Sequence, residues 1–354
     1  MSEVRGVSSL LLAAALLAVG GSAYGAQPAR HPAARVAIRA MTRNLYLGAN
    51  LDPIVQATSP SAAFEAVQAA WQEVQANDFS TRAKGIAAEI ARVKPDFVGF
   101  QELVLYRTQT PSDFLLTPAK NVALDYEAVL NKALRARRLR YRFVGVDANT
   151  DAELPSGSPP TMDVRLTVRN GLLVRDGIRV RNVRTGNYHT TWPIFNGLLR
   201  AQRGWVSADA TVGGKTFRVI TTHLESFDRT VAESQTKELI VGPARTRLPV
   251  VLLGDLNSRP DGSTSASYAT LIGAGFQDAW AQAYPDRPGF TDGHPADLHE
   301  LGPPFDQRID YVLTRGGFRA LRGAVTGENP SNRVGGLWPS DHGGLWMTLR
   351  LPGH

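Results

Sequence analysis

Short apolar runs recur along this chain and stop abruptly on polar side chains, and that punctuation constrains the fold more than any other feature. Val36–Met41 (VAIRAM) runs into Thr42, Arg43 and Asn44, and Phe97–Phe100 (FVGF) stops at Gln101 and Glu102. Phe217–Thr221 (FRVIT) leads to His223, and Val250–Leu253 (VVLL) leads to Gly254, Asp255, Leu256 and Asn257. Tyr141–Val146, Asn170–Val174, Ile309–Leu313 and Gly344–Leu349 complete the set. Runs this short, rich in β-branched and aromatic residues, read as strands. Helical spacing appears between some of them. Ile86, Ile90 and Val93 define a helix over Thr81–Val93, capped by Ser80 and stopped by Pro95. Tyr126–Leu134 and Arg229–Ile240 read as two more. Hairpin-like strand pairs thus mix with strand–helix units, which predicts two packed sheets with helices outside them over 36–354. Long polar loops at 107–124, 147–163 and 281–306 are of a length that is often functional.

The first segment stands outside this pattern. Arg5, the apolar run Ser8–Val19 and the small residues Gly20, Gly21, Ser22, Ala23 and Gly25 read as a secretory signal over 1–25. The run is short of the roughly 20 residues that span a bilayer, so no stable membrane anchor is expected. The mature protein is expected to be secreted or periplasmic, to begin with a flexible lead-in at 26–35, and to act as a monomer. The chain has no cysteine. That excludes a disulfide framework and a thiol nucleophile, and it leaves oxygen and nitrogen ligands for any metal, favouring Mg²⁺, Mn²⁺ or Ca²⁺. A formal charge of +7 suits a polyanionic partner, although no block of five basic residues occurs. The densest run is Arg135–Arg142 (RARRLRYR).

The polar strand ends form a chemically coherent set. Asn44 sits in TRNLYLG, Glu102 in VGFQEL, His223 in TTHLES, Asp255 and Asn257 in LLGDLNS, and Asp341 and His342 in PSDHGG. Singly, each has an ordinary explanation: a turn residue, a surface charge, an Asx turn, a hydrogen-bonded core histidine. Together they place acids, amides and two histidines where loops converge. Asp310 differs, because it lies inside the apolar run IDYVL, where an unpaired carboxylate is costly to bury. His342, further along the chain, is the partner expected to hydrogen-bond it.

In this order the motifs resemble the endonuclease/exonuclease/phosphatase superfamily, which includes DNase I-like nucleases, neutral sphingomyelinases and inositol-polyphosphate phosphatases. The resemblance spans 36–350 and rests on the Asn of the first strand, QE, a strand-end His, GDLN, a D-Y strand and SDH. THLES, with Arg229 and Gln235 downstream, and RNLYLGANLDPI look more like the sphingomyelinase and DNase I-like branches. The resemblance implies an α/β fold of α+β type, a four-layer sandwich of two packed mixed sheets flanked by helices. It implies a divalent-metal-dependent phosphoesterase in which Asn44, Glu102 and Asp341 hold Mg²⁺ (or Mn²⁺ or Ca²⁺). His223, Asp255, Asn257, Asp310 and His342 are then the catalytic residues, with Arg107 and Tyr141 expected to contact substrate.

In that reading a cation neutralises the non-bridging oxygens, Asp310 orients His342, and either Asp255 or His342 takes the proton of the attacking water. One ion or two would serve. The substrate is a phosphodiester. Nucleic acid is favoured by charge and export, and a phospholipid, cleaved as by a phospholipase C or sphingomyelinase, is the alternative. A non-catalytic binding module is the third reading. No acidic partner for His223 is visible, and Trp192 and Phe195 (HTTWPIF) are the only aromatics placed like a membrane-inserting hairpin.

Overall fold

The computed structural model describes residues 36–353, so the expected signal and the lead-in lie outside the described residues. Two six-stranded mixed sheets dominate. The first is ordered Arg319–Thr326, Gly344–Arg350, Ala37–Asn44, Phe97–Gln101, Gly171–Arg175, Tyr141–Val146. The second is ordered Gln277–Asp278, Asp310–Arg315, Val250–Asp255, Lys215–His223, Gly204–Val212, Arg179–Asn187.

Side-chain alternation sorts the apolar residues into layers. Ile38, Ala40, Phe97, Leu172 and Val174 of the first sheet pack against Val206, Val219, Val251, Leu253 and Val312 of the second. The opposite face of the first sheet, through Met41, Val98, Phe100 and Leu173, packs on residues of the helices Pro60–Ala76, Phe79–Val93 and Tyr126–Ala136. The opposite face of the second, through Ile220, Leu252 and Leu313, packs on Leu239 of Arg229–Val241 and Leu271 of Ser267–Gly273. The expected four-layer sandwich is therefore present.

The sheets pack closely beneath the polar strand ends. A Cβ on Gly99 would lie 2.6 Å from Thr221 Oγ1 and 2.8 Å from Leu253 Cβ, so only glycine fits. Next to it, Gln101 ties the sheets together, accepting from Thr42 Oγ1 (3.1 Å) and donating to Thr221 Oγ1 (2.9 Å). The Gln of the QE motif is thus a buried bridge, and the Glu that follows is free for the cleft.

Two features depart from the expected pattern. The helix expected to start after Ser80 begins at Phe79, and its cap is Asp78, which accepts from Thr81 N and Oγ1. It ends on Lys94 in the left-handed region, just before Pro95. The expected loops 107–124 and 147–163 contribute to a third sheet, ordered Asn121–Asp125, Leu105–Gln109, Met162–Thr167, Asp151–Ser156. Trp192 and Phe195 belong to a small hairpin, Trp192–Ile194 paired with Leu199–Ala201.

Candidate active site

Strand register assembles the site. Asn44 lies opposite Gln101 in parallel strands, His223 opposite Asp255 in parallel strands, and Asp255 opposite Asp310 in antiparallel ones. Asp341 and His342 lie just before Gly344–Arg350, whose start pairs with the end of the Ala37–Asn44 strand. All these groups therefore meet at one end of the double sheet. Two buried arginines fix the segments between them. Arg82 donates to the carbonyls of Leu45, Tyr46 and Pro339, and Arg43 pairs with Glu89 (3.0 Å) while donating to the His342 carbonyl. Glu102 and Asn257 both have φ near +50° (54 and 47), uncommon for residues other than glycine, and both point a polar side chain into the cleft.

At the centre, His342 Nδ1 is 2.8 Å from Asp310 Oδ2, the hydrogen bond expected from sequence. The other ring nitrogen, Nε2, faces Asp292 Oδ1 at 3.5 Å, Asp255 Oδ2 at 3.8 Å and Asp341 Oδ1 at 4.0 Å. Asp255 accepts from Asn257 N (2.9 Å) and from Asn44 Nδ2 (3.0 Å). Asn44 Nδ2 also donates to Glu102 Oε1 (3.0 Å).

A family model for the Endonuclease/Exonuclease/phosphatase family matches residues 67–342. The chain belongs to that family. It is accordingly a phosphoric ester hydrolase, a class whose members in this family generally depend on a divalent metal. A comparison with curated proteins finds no match. Among solved structures, an endonuclease/exonuclease/phosphatase family protein from Leptotrichia buccalis C-1013-b is similar with a TM-score of 0.57 and 16% identity, over 89% of this chain and 100% of that one. Humanized D. rerio TDP2 is similar with a TM-score of 0.53 and 19% identity, over 90% and 100%. A mannosyl-6-phosphatase from Bacteroides thetaiotaomicron VPI-5482 is similar with a TM-score of 0.52 and 14% identity, over 89% and 100%. At these identities the likeness is one of fold.

Within this endonuclease/exonuclease/phosphatase fold, His223 and His342 are pushed in opposite directions, His342 toward the charged form and His223 toward the neutral one. Burial alone would lower the His342 pKa, but the carboxylates of Asp310, Asp292 and Asp341 outweigh it and hold the ring well above its ordinary value. His342 is therefore an imidazolium. His223 is pushed well below its ordinary value by burial, by Arg203 and by the charge on His342. Arg203 Nη1 lies 3.1 Å from His223 Nδ1. A guanidinium can only donate, so Nδ1 accepts and the ring's proton sits on Nε2, 3.4 Å from Asp255 Oδ2. The acidic partner sought for His223 is replaced by this arginine, which Glu225 holds at 3.3 Å. Burial and the charge of Asp310 raise Asp255 to about 8. Burial, Glu102 and Asp292 raise Asp341 to about 7, against the opposing pull of His342.

Several expectations need correction. Tyr141 pairs with Arg175 at the far end of the first sheet and donates to the Pro95 carbonyl, so it cannot meet substrate here. Its strand is oriented with Val146, not Tyr141, toward the cleft end. Arg107 follows Tyr106, a cleft residue, but strand alternation turns it away to Thr167 Oγ1 (2.9 Å). Asn44 Oδ1 accepts from Tyr46 N (2.9 Å), which leaves its second lone pair for a metal. Arg229 is exposed and pairs only with Glu233, whereas Gln235 accepts from Glu225 N (2.9 Å) and buttresses the THLES loop. Arg203, Glu225 and Asp292 were missed. Glu225 lies in THLES itself and Asp292 in the 281–306 loop singled out for its length; Arg203 carried no local signal.

Proposed function

We propose that this family member is an exported, divalent-cation-dependent phosphodiesterase that uses Asp255 to take a proton from water and protonated His342 to donate toward the phosphate. The observation that carries the reading is the arrangement of four acids, Asp255, Asp292, Asp310 and Asp341, about the single imidazolium of His342, with Glu102 acting in turn on Asp341. Export rests on the apolar Ser8–Val19 run alone. Among the described residues no helix is long and apolar enough to cross a membrane.

The donor set fits a hard cation. Glu102 adds its negative charge to that of Asp341 in the cleft, and the nearby guanidinium of Arg203 is engaged by Glu225. Glu102 and Asp341 are the residues that would hold Mg²⁺ or Mn²⁺. Such an ion would supply neutralisation of the non-bridging phosphate oxygens. Asp255, Asp310 and His342 can bring ligand atoms within 4.8 Å of one another. We assign that trio to proton handling, because His342 Nδ1 is already bound to Asp310.

The protein's own groups then divide the work. Asp255, raised to about 8 by burial and by Asp310, accepts a proton from water only in its ionised form, so turnover should rise with pH through that value. His342, fixed by Asp310, donates from Nε2. His223, neutral and protonated on Nε2, donates a hydrogen bond without adding charge, while Asn257 Nδ2 donates to the Leu224 carbonyl (2.9 Å). Turnover of bis(p-nitrophenyl) phosphate should vanish on exhaustive chelation with EDTA and return with Mg²⁺ or Mn²⁺. Full activity after chelation would overturn the reading. Nucleic acid is the substrate that the net charge of +7 supports. The lining of the cleft supports a different one.

A further inference from the structure

The catalytic groups occupy one end of a larger cavity of about 470 Å³. It runs without a break from Asp255, Asp341 and His342 to an apolar chamber walled by Leu51, Ile54, Trp71, Leu154, Leu166 and Phe195. These come from the segment after the first strand, the Pro60–Ala76 helix, the third sheet and the Trp192–Ala201 hairpin. All six are half-buried, so they present apolar surface to the cavity instead of closing upon one another. A concave, mostly apolar chamber of this volume with a few convergent polar groups is the usual form of a small-molecule site.

Charge decides what kind of molecule fits. Among the described residues Arg203 is the only arginine or lysine lining the cavity. A polynucleotide carries a charge at every residue and is held by a basic track with aromatic stacking platforms. The densest basic run, Arg135–Arg142, ends beside Tyr141 at the opposite end of the first sheet, where Arg142 pairs with Asp176. With that guanidinium already paired to Glu225 (3.3 Å), the cavity offers one cluster of catalytic groups beside a long aliphatic wall, which matches one phosphate attached to an aliphatic chain.

We infer that the substrate is an amphiphilic phosphodiester whose hydrocarbon chain lies between Trp71, Leu154, Leu166 and the Trp192–Ala201 hairpin, with its phosphate at Asp255 and His342. This rests on the phosphodiesterase reading and adds a substrate class to it. Water adds its oxygen to phosphorus, one P–O ester bond breaks, and the departing oxygen takes a proton. The products are a phosphomonoester and an alcohol, and no further reactant is needed.

The test uses the full protein with Mg²⁺ and alkylphosphocholines bearing butyl to dodecyl tails, each below its micellar concentration. kcat/KM should rise about fourfold per methylene, as the transfer free energy of a CH₂ group requires, and level off once the chamber is full. Ala152→Phe, at a position on the chamber wall, should bring the plateau to a shorter tail, and Leu154→Ser should lower the slope; melting curves verify that both variants fold. Bis(p-nitrophenyl) phosphate in the same samples reports the chemistry without a tail. Hydrolysis of that diester with no dependence on tail length overturns the chain pocket and leaves the phosphodiesterase reading intact. An oligonucleotide turned over more efficiently than the dodecyl diester overturns the inference in favour of nucleic acid. If no diester is hydrolysed with either metal, the underlying reading fails. The chamber is then judged by melting temperature alone, since dodecylphosphocholine must stabilise the wild type more than Ala152→Phe, and equal shifts overturn it.

Discussion

At the floor of the cleft, functional side chains are held by buried hydrogen bonds between strand ends. Asn44 bridges Glu102 and Asp255, Gln101 bridges the two sheets, and Asp310 grips His342. The walls are held differently. The Trp192–Ala201 hairpin has three-residue strands, and its turn puts Phe195, Asn196 and Gly197 in the left-handed region. Trp192 rests on Phe227 at 4.8 Å between ring centroids, and the tip residue Leu198 is 81% exposed. The floor is therefore specified by the core of the fold, whereas the walls can change without disturbing it. Changes to the floor should remove chemistry, and changes to the walls should alter which molecule is processed.

The largest effect is expected at the Asp310–His342 pair. His342→Ala should lower kcat on bis(p-nitrophenyl) phosphate by about 10³- to 10⁴-fold, and Asp310→Asn by about 10²- to 10⁴-fold. The double mutant should fall little below the worse single mutant, because the two side chains act as one unit. His342→Ala also leaves Asp310 fully buried with neither carboxylate oxygen paired, since Oδ1 already lacks a partner. An unpaired buried group of this kind costs about 1–3 kcal/mol, so thermal melting should move as well. Multiplicative losses in the double mutant would mean that the floor is not the single unit described here.

Arg203 tests whether the floor extends to positioning groups. Arg203→Met removes the donor that keeps His223 Nδ1 an acceptor, and kcat should fall about 10- to 100-fold, as for lost orienting partners of other histidines. A purely structural role would leave the ring's tautomer unchanged. Nitrogen NMR of His223 should instead show mixed tautomers in the variant and the Nε2–H form alone in the wild type.

The difference between floor and walls also governs what could be read from sequence. The strand-end acids and histidines were legible because a polar residue that ends an apolar run is conspicuous. The Asp310–His342 bond was legible because a carboxylate inside an apolar strand needs a partner. Arg203 was not, being one of 39 Lys and Arg residues, with nothing in its neighbourhood to mark it. Tyr141 and Arg107 were misplaced for geometric reasons. The first lies at the start of a strand whose other end faces the cleft, and the second is one residue out of phase with the cleft-facing Tyr106. In the third sheet Leu105–Gln109 and Asp151–Ser156 are short and largely polar and carry no strand signal, whereas Met162–Thr167 (MDVRLT) alternates strictly and was overlooked.

A smaller effect is expected where the two sheets meet. Gly99→Val would drive its side chain against Thr221 and Leu253, and overpacking of this kind costs about 1–3 kcal/mol. For a domain of this size the melting temperature should fall by a few degrees per kcal/mol. The activity lost should exceed that of an equally destabilising change far from the cleft, because Gly99 is two residues from Gln101, whose bond to Thr221 keeps the strand ends in register. Equal activity at equal destabilisation would show that the sheet contact supports the fold without tuning the site.

The smallest effect belongs to the hairpin tip. Leu198 makes little contact with the rest of the protein, so Leu198→Asn should change stability by less than about 0.5 kcal/mol. Turnover of bis(p-nitrophenyl) phosphate should not change, because that substrate has no tail to reach the hairpin. Ile194, Phe195 and Leu199, its neighbours in the hairpin, do line the chamber. A tail long enough to fill the chamber would emerge beside the tip and regain part of the roughly 1.5–3 kcal/mol that burying a leucine is worth. KM for dodecylphosphocholine should therefore rise about two- to tenfold in Leu198→Asn, while that for the butyl compound stays constant. Parallel changes for both tails would place the hairpin with the floor, and no change for either would confine the hydrocarbon chain to the interior walls.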